Sequence, residues 1–556
     1  MGLRVSRVSA VPGGHHLIRP SVQWWESRWY GFVLILFSII PLIWPTTPPL
    51  PDLPGHMGRY TVELELDHSD SLQRFFDFHW ALVGNLGVDL LVIPLTKLVG
   101  LEMAVKVIVT AIPALTTAGL LWISHEVHGR FSPATAFAVP FVYGFPFAYG
   151  FVNFTLSAGL ALLAFAYWLR LTRTLHFRLR STIFVPISCL IWVTHVFGWG
   201  ILGLLAFSEG LVRLRAQRAS WPTALQGSIG AVLPLAVPIL LMIAWRYDSG
   251  GRAYTGGFFD PIGKSYSFVG VLRDRWLIWD SLSVAAVVVA LWAAFRQTDM
   301  GYSRRMLIPA VVLALTFILL PTSVFGSAYA DTRIAPFAFM MGILAISSSN
   351  SSLSNAYFAA FAAAFALLRL SGTSLSYYLA DVEAQERLTA LKYIDRGARV
   401  LTLTGEMCPR EWELPRYLHL GSFVILRRHG FSNDQWQTRG AQLITVKYTD
   451  AKPFDADPSM FVYTRECIKK AMELSKDKQP AGRTIDEAFK DFPRKAFDYV
   501  WLLKPPGAFN PPTDLSLLWQ GKDSSLYRVV DASSSGQLVI GKPRNALSAN
   551  TLRQHR

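Results

Sequence analysis

Residues 30–44 read Tyr-Gly-Phe-Val-Leu-Ile-Leu-Phe-Ser-Ile-Ile-Pro-Leu-Ile-Trp, and Pro45-Thr-Thr-Pro-Pro49 follows at once. Four arginines precede this apolar run: Arg4, Arg7, Arg19 and Arg28. A basic segment before an apolar run is typical of a signal peptide, but prolines stand where a small-residue cleavage site is expected. We therefore predict an uncleaved first transmembrane span, with a cytoplasmic segment over 1–28 and an external loop over 46–80.

The composition indicates a membrane protein with many spans. Of the 556 residues, 52% are hydrophobic and 16% are charged, and the mean hydropathy is +0.32. A soluble domain carries about 25% charged residues. Because the apolar blocks end near residue 371, we predict a mostly α-helical polytopic domain over 29–371, with about 10–13 transmembrane or re-entrant helices. A small extracytoplasmic α/β domain over 372–540 and a disordered tail over 541–556 are expected to follow.

The net charge of +15 comes largely from arginines between the apolar blocks. Cytoplasmic loops of membrane proteins carry such an excess, and no soluble segment combines a basic face with interleaved aromatic residues, so nucleic acid is not expected as a partner. If each later apolar run crosses once, the arginines at 213–218 and 296–305 are cytoplasmic. The connections 247–276 and 326–334 then lie outside with the C-terminal domain and loop 46–80.

The middle of the chain does not follow this simple alternation. Arginines flank the run 182–212 on both sides, so it should enter the membrane and return, turning near His195. Between residues 81 and 169 there are four apolar runs where an odd number of crossings is required. Either 81–100 or the broken run around Pro140 and Gly150 is therefore predicted to be re-entrant or interfacial. Broken helices at membrane depth line wet cavities, which predicts a polar cavity facing outward.

The first external loop carries the strongest candidate residues. Five prolines between residues 45 and 54 restrict the backbone around Asp52, and His56 and Arg59 follow closely. The amphipathic stretch over 57–80 predicts a helix lying in the membrane interface. Asp52 has two explanations at this point: a catalytic carboxylate held at the membrane surface, or a cap for the helix that follows.

An uncleaved first span, an acidic external loop, interrupted spans and a C-terminal external domain together resemble the GT-C superfamily of membrane glycosyltransferases. Those enzymes use polyprenyl-phosphate-linked sugars, and their first external loop carries one or two acidic residues acting as base or metal ligand. The resemblance implies that Asp52 is the base, assisted by His56. The adjacent second acid of many members is replaced here by Leu53, so a divalent metal is compatible with the sequence but not required by it.

Further polar residues fall in external or membrane positions. Arg333, with Asp331 beside it, enters a span directly, and a guanidinium binds phosphate bidentately. Together with Arg59, these two residues form the candidate donor-phosphate site, in which the arginines bind the phosphate and Asp331 orients Arg333; an interfacial salt bridge is the alternative for Asp331. Asp89, Asn153 and His195 are candidates for lining the cavity, because polar groups within apolar runs are costly. Their alternatives are an interfacial carboxylate, a helix cap and a structural histidine.

The sequence of the C-terminal domain predicts mixed helices and strands, including a strand over 398–405, a helix over 466–475 and a closing hairpin over 515–530. No Walker loop, Gly-x-Gly-x-x-Gly motif or nucleophile elbow is present. Cys408 and Cys467 both lie in this domain, and outside the cell they are expected to form a disulfide, with free buried thiols as the alternative.

These features predict an inverting glycosyltransferase of the inner (plasma) membrane. It would move a hexosyl or pentosyl group from a polyprenyl-phosphate sugar to a hydroxyl of a lipid, glycan or protein acceptor, on the outer face. A multi-span transporter or lipid flippase is the alternative, because broken helices and intramembrane polar groups suit transport as well. A non-catalytic partner in envelope polysaccharide assembly is the third possibility.

Overall fold

The computed structural model describes residues 23–174, 177–249, 255–324, 327–348, 353–406, 411–437, 442–474 and 482–530. The predicted tail over 541–556 and residues 1–22 of the predicted cytoplasmic segment lie outside the described residues. The α-helices of the described residues are α1 (Arg28–Ile39), α2 (Leu53–Glu65), α3 (Asp70–Phe75), α4 (Gly87–Val99), α5 (Leu101–His128), α6 (Phe145–Tyr149), α7 (Val152–Thr174), α8 (Phe177–Thr194), α9 (Val196–Ala216), α10 (Trp221–Val232), α11 (Pro238–Ser249), α12 (Pro261–Val269), α13 (Leu277–Arg296), α14 (Arg304–Leu319), α15 (Ala335–Leu344), α16 (Leu353–Leu388), α17 (Ser422–Arg428), α18 (Arg465–Leu474) and α19 (Ile485–Asp491). The strands are β1 (Phe76–Phe78), β2 (Met300–Tyr302), β3 (Ile346–Ser348), β4 (Arg399–Gly405), β5 (Phe431–Ser432), β6 (Ile444–Val446), β7 (Phe461–Val462), β8 (Tyr499–Leu503), β9 (Leu515–Gln520) and β10 (Ser524–Val529).

The helices confirm a mostly α-helical polytopic membrane protein. Within the described residues, six helices are long and apolar enough to cross a membrane: α5, α7, α8, α9, α13 and α16 with its continuation to Tyr393. A seventh candidate is the pair α10 and α11, bent by 55° at its break. Shorter apolar helices cover 28–42, 135–149 and 335–344. Since α7 is the most buried of the six long helices, it forms the centre of the bundle.

Buried and half-buried ion pairs gather at one end of the bundle. Glu126, near the end of α5, pairs with Arg173 at the end of α7. Glu209 of α9 lies 3.7 Å from both Arg213 and Arg305. These arginines belong to the clusters that the positive-inside rule places on one side, so the structure brings the predicted cytoplasmic ends together.

The interrupted segments have the irregular form that the crossing count predicts. Residues 135–143 form a 3₁₀-helix and α6 has five residues, both buried, with prolines inside or at their start. The helix α4 has 13 residues, fewer than the roughly 20 that a perpendicular span needs. The run 182–212 is two helices, α8 and α9, that meet at His195 as predicted. Both are longer than the half-length helices expected, because α8 begins at Phe177 and α9 ends at Ala216.

The C-terminal domain is built on one mixed sheet. Its strand order is β5-β4-β8-β10-β9, and β7 also pairs with β4. Strand β4 runs parallel to β5, β7 and β8, whereas β10 is antiparallel to β8 and β9. The predicted strand near residue 400 and the closing hairpin are thus confirmed. Residues 422–428 form the helix α17.

Two features connect the domain to the membrane part. The helix α16 is continuous for 36 residues and passes through residue 371 without a break. Strand β1, from the first external loop, pairs with β6 of the domain through Phe76↔Val446. The stretch 57–80 therefore differs from the expected lipid-facing interfacial helix: α2 is largely buried and packs against α17, and Leu72, Phe75 and Phe76 belong to the domain core.

Candidate active site

Asp52 lies at the start of α2, where the proline-rich loop ends. It occupies the N-cap position, yet its side chain accepts no capping hydrogen bond from the described first turn. The alternative explanation of Asp52 as a helix cap is therefore excluded. The main chain is held by another contact, a 3.0 Å hydrogen bond from the Asp52 N–H to the Tyr149 carbonyl. Arg416 of the C-terminal domain also donates to the Pro49 carbonyl, so the loop is fixed from two sides.

Gly150 allows the chain to approach Asp52 this closely. Its φ is +111°, in the left-handed region that side chains rarely adopt. A Cβ atom added there would lie 3.0 Å from the Asp52 nitrogen and 3.1 Å from the Asp52 Cβ. The broken segment around Pro140 and Gly150 thus forms the wall against which Asp52 rests.

The surroundings of the Asp52 carboxyl raise its pKa and so favour its protonated, neutral form. Its side chain is 15% exposed. The pKa of Asp52 is raised to about 8, by burial first and then by the charge of Asp457, while the charge of Arg333 acts to lower it. A carboxyl whose pKa lies near neutral pH suits a general base, which takes a proton in one step and releases it later.

Arg333 faces Asp52 from the turn that leads into α15. Its guanidinium lies over the Phe151 ring, 4.4 Å from the centroid, and donates a 3.2 Å hydrogen bond to the Ala328 carbonyl. The residue is 7% exposed. Among the described residues its Nε has no hydrogen-bond partner, and no ion pair within 4.0 Å is formed with a carboxylate. A buried guanidinium without a carboxylate is costly unless an anion binds to it.

His195 contacts Arg333, whereas Asp331, two residues before Arg333 in the chain, has another partner. The His195 Nε2 is 3.3 Å from Arg333 Nη1, and its Nδ1 is 3.1 Å from the Phe197 N–H. A neutral imidazole has one acceptor nitrogen, so His195 accepts from one of these donors at a time. Asp331 does not orient Arg333 directly: its Oδ2 pairs with Lys264 at 2.6 Å.

The imidazole that the structure brings to Asp52 belongs to His419 of the C-terminal domain. Its Nε2 lies 4.0 Å from Asp52 Oδ1. The predicted assistant, His56, has its ring centroid 5.0 Å from that of Trp436. Its pKa is lowered well below the usual value, because burial and then the Arg59 charge disfavour the protonated ring. Both observations favour a neutral, packed His56.

Arg59 and Asp89 form a buried ion pair. Their closest atoms are 2.8 Å apart, with the side chains 2% and 1% exposed. Asn153 donates a 3.0 Å hydrogen bond to Asp89 and accepts one of 2.6 Å from the Val88 N–H, while Arg59 also donates to Gln442 at 2.6 Å. The network joins α2, α4, α7 and the domain, so its geometry favours a structural role for three residues that the sequence analysis considered for donor binding or the cavity.

Two acidic residues of the C-terminal domain complete the surroundings of Asp52. The pKa of Glu406 is raised to about 7 by burial and by Asp457, and Arg273 lowers it. Burial also raises the pKa of Asp457 to about 6. Tyr149 and Tyr329, whose ring centroids are 5.6 Å apart, interact electrostatically with both Asp52 and Glu406. The site therefore combines carboxyl groups, two arginines and an aromatic wall.

His419, Glu406 and Asp457 were not found from the sequence, and neither was Arg273. Glu406 had one local signal, since it follows a predicted strand and polar residues at the carboxyl ends of parallel strands often meet. His419 has no such signal, because the segment before α17 is apolar and irregular.

The remaining predicted groups concern metal and cysteines. Within the described ranges, no three His, Cys, Asp or Glu side chains are arranged to hold a metal ion. Cys467 is buried, at 3% exposure, but Cys408 lies outside the described residues. The Cys408–Cys467 disulfide therefore stays a prediction.

Comparison with known proteins gives a weak structural likeness. No protein-family model matches the chain, and no curated protein matches it. Among solved structures, it is similar to ArnT from Cupriavidus metallidurans bound to undecaprenyl phosphate, with a TM-score of 0.43 and 12% sequence identity. The match covers 92% of this chain and 99% of that chain. A TM-score below 0.5 does not establish a common fold, so the functional proposal rests on the site.

Proposed function

We propose that this protein is a GT-C-type membrane glycosyltransferase. It would transfer a sugar from a polyprenyl-phosphate donor to an acceptor hydroxyl on the outer face of the inner membrane. The observation that carries the proposal is that Arg333 lies close enough to Asp52 to interact with it electrostatically, without forming an ion pair. A carboxyl that caps no helix and has its pKa raised to about 8 faces a buried guanidinium that lowers this pKa.

The proposed reaction is a single displacement at the anomeric carbon. The acceptor O–H bond breaks and its proton passes to the Asp52 carboxylate, while the acceptor oxygen forms the new bond to the sugar. The bond from the anomeric carbon to the phosphate oxygen breaks on the opposite face, and its electron pair leaves with the polyprenyl phosphate. The configuration at that carbon is therefore inverted.

Arg333 would bind the donor phosphate and stabilise the charge that develops on it. A guanidinium is always charged and binds phosphate bidentately, and its effect is largest where water is excluded. When the phosphate neutralises Arg333, the charge that lowers the pKa of Asp52 is offset. Donor binding would thus make Asp52 a stronger base at the step that needs one.

Release of free polyprenyl phosphate tests this proposal without knowledge of the acceptor. The purified protein, reconstituted in lipid vesicles, is incubated with a membrane extract as acceptor source and a panel of radiolabelled polyprenyl-phosphate sugars. We expect cleavage of one or more donors, and a loss of at least about a hundredfold in Asp52→Asn, the size of a general-base contribution. Asp67→Asn is the matched control, because Asp67 is an exposed carboxylate of the same external loop.

Two results would contradict the proposal. One is release by Asp52→Asn at the rate of the Asp67→Asn control. The other is movement of an intact labelled donor across the vesicle membrane with no cleavage, which is the result expected of a flippase.

A further inference from the structure

We propose that His419, supplied by the C-terminal domain, is a positioning residue for the general base. Its Nε2 would accept a hydrogen bond from Asp52 after the carboxyl has taken the acceptor proton. This inference rests on the proposed function, and it assigns to the C-terminal domain a direct part in the reaction.

The orientation of the His419 ring is set by its other nitrogen. Nδ1 lies 2.9 Å from the Asp434 carbonyl oxygen. A carbonyl accepts hydrogen bonds but cannot donate one, so Nδ1 carries the proton and Nε2 of the neutral ring has the free lone pair. Nε2, which carries this lone pair, lies 4.0 Å from Asp52 Oδ1.

Packing holds the ring in this orientation. His419 is 3% exposed, and its ring centroid lies 4.4 Å from that of Trp436. A Cβ atom at Gly55, on α2, would lie 3.2 Å from His419 Nδ1 and 2.6 Å from Trp436. The ring is therefore packed directly against α2, the helix that follows Asp52.

The distance to Asp52 is about 1 Å longer than a hydrogen bond. Catalytic hydrogen bonds are often long without substrate and shorten in the complex. A carboxylate and a lone pair repel each other, whereas a protonated carboxyl donates to the lone pair. The contact thus favours the protonated form of Asp52, which is the form produced when the acceptor is activated.

Other titratable and charged groups face the same two side chains, and the test must separate their effects. Asp52 is influenced by Arg333 from the turn before α15 and by Asp457 from the domain, and by Tyr149 at the end of α6. His56, on α2, is the ionisable neighbour of His419. These groups are unchanged in variants of His419 alone.

Two substitutions at His419 remove different halves of its contacts. His419→Asn keeps an N–H near the position of Nδ1, for the Asp434 carbonyl, and removes Nε2. His419→Gln places its amide oxygen near Nε2 and loses the Nδ1 anchor. The assay is donor cleavage by the full-length reconstituted protein, measured as kcat/KM against pH, with thermal unfolding of each variant as a folding control.

We expect kcat to fall by up to about tenfold in His419→Asn, the effect of one lost hydrogen bond between neutral groups. The acid limb of its pH profile is expected to move to lower pH, because the neutral form of Asp52 loses its partner. His419→Gln is expected to retain the position of the wild-type limb. A merely structural role would lower stability in both variants and leave the limb in place.

The inference is overturned if the limb does not move in His419→Asn, or if it moves equally in both variants. Failure of the proposed function is a separate result, namely normal cleavage by Asp52→Asn. Should His419→Asn not fold, ring-nitrogen NMR of ¹⁵N-histidine-labelled wild-type protein decides the question. The His419 Nε2 signal must shift as Asp52 titrates and must not shift in Asp52→Asn; a signal that is the same in both rejects the contact.

Discussion

Replacement by Gln is expected to have opposite consequences at two buried arginines, Arg59 and Arg333. Arg59 is 2% exposed and pairs with Asp89 at 2.8 Å. Arg333 is 7% exposed and, among the described residues, forms no ion pair with a carboxylate within 4.0 Å. Replacing each by Gln removes a guanidinium from a buried position, but only the first replacement leaves an unpaired carboxylate behind.

The magnitudes follow from those partners. Breaking a buried pair by removing one member costs about 3–5 kcal/mol of folding free energy, and Asp89 is 1% exposed, so Arg59→Gln should be strongly destabilised. Arg333→Gln removes a charge that is uncompensated in the free protein, so its stability should be unchanged or higher. Losing a bidentate charge-assisted contact of about 3 kcal/mol should weaken donor binding about a hundredfold.

Thermal unfolding in detergent, followed with and without polyprenyl phosphate, measures both effects. The lipid should raise the unfolding temperature of the wild type and of Arg59→Gln, and should have no effect on Arg333→Gln. The reasoning is refuted if Arg333→Gln is destabilised as much as Arg59→Gln, or if it is stabilised by the lipid as strongly as the wild type.

Three further predictions concern the base, the glycine packed against it, and a contact between the C-terminal domain and α13. Because the pKa of Asp52 is raised to about 8, the folded protein binds the Asp52 proton more tightly than the unfolded chain does. The free energy of unfolding should therefore fall as the pH rises from about 4 to 8. When denaturation is measured over this pH range, the part of the fall that is due to Asp52 should be missing in Asp52→Asn. Gly150→Ala should lower donor cleavage, since its Cβ would lie 3.1 Å from the Asp52 Cβ at a φ of +111°; a rate equal to the wild type would contradict the close approach. Trp412→Phe should lower the free energy of unfolding by about 1.5–3 kcal/mol, because the Trp412 indole donates a 2.7 Å hydrogen bond to Asp280. Chemical denaturation measures this free energy. A change under about 0.5 kcal/mol would show that this hydrogen bond contributes little.

The crossing count predicted the irregular part of the bundle correctly. Charge placement requires no knowledge of packing, so the conflict between arginine clusters and apolar runs was visible in the sequence. The structure contains the expected interruptions, at residues 135–149 and at His195. The same argument does not reveal what an interruption touches, and the contact between Gly150 and Asp52 appears only when the chain is folded.

The candidate residues of the first loop illustrate the limit of local reasoning. Asp52, His56 and Arg59 fall within eight residues of one another, and this spacing predicts that they belong to one site. Once α2 forms, its successive turns point toward different neighbours: Asp52 toward Arg333, His56 toward Trp436 and Arg59 toward Asp89. Residues spaced i, i+4 and i+7 lie on one face of a helix, but the rise of about 1.5 Å per residue spreads Asp52 and Arg59 over about 10 Å along its axis. Each side chain therefore meets a different neighbour, and spacing along the chain does not determine which of them share a cavity.

The sequence by itself determined the membrane class, the place of the interrupted segments, and the presence of a proline-rich acidic loop after the first apolar helix. Hydropathy, arginine placement and proline content are local properties, and they act before any long-range contact exists. Only the tertiary structure decided the partners of that loop, since His419, Glu406 and Asp457 reach Asp52 from more than 350 residues away along the chain. Such contacts depend on how the domain sits on the bundle through β1, β6 and α16, and no local pattern specifies that arrangement.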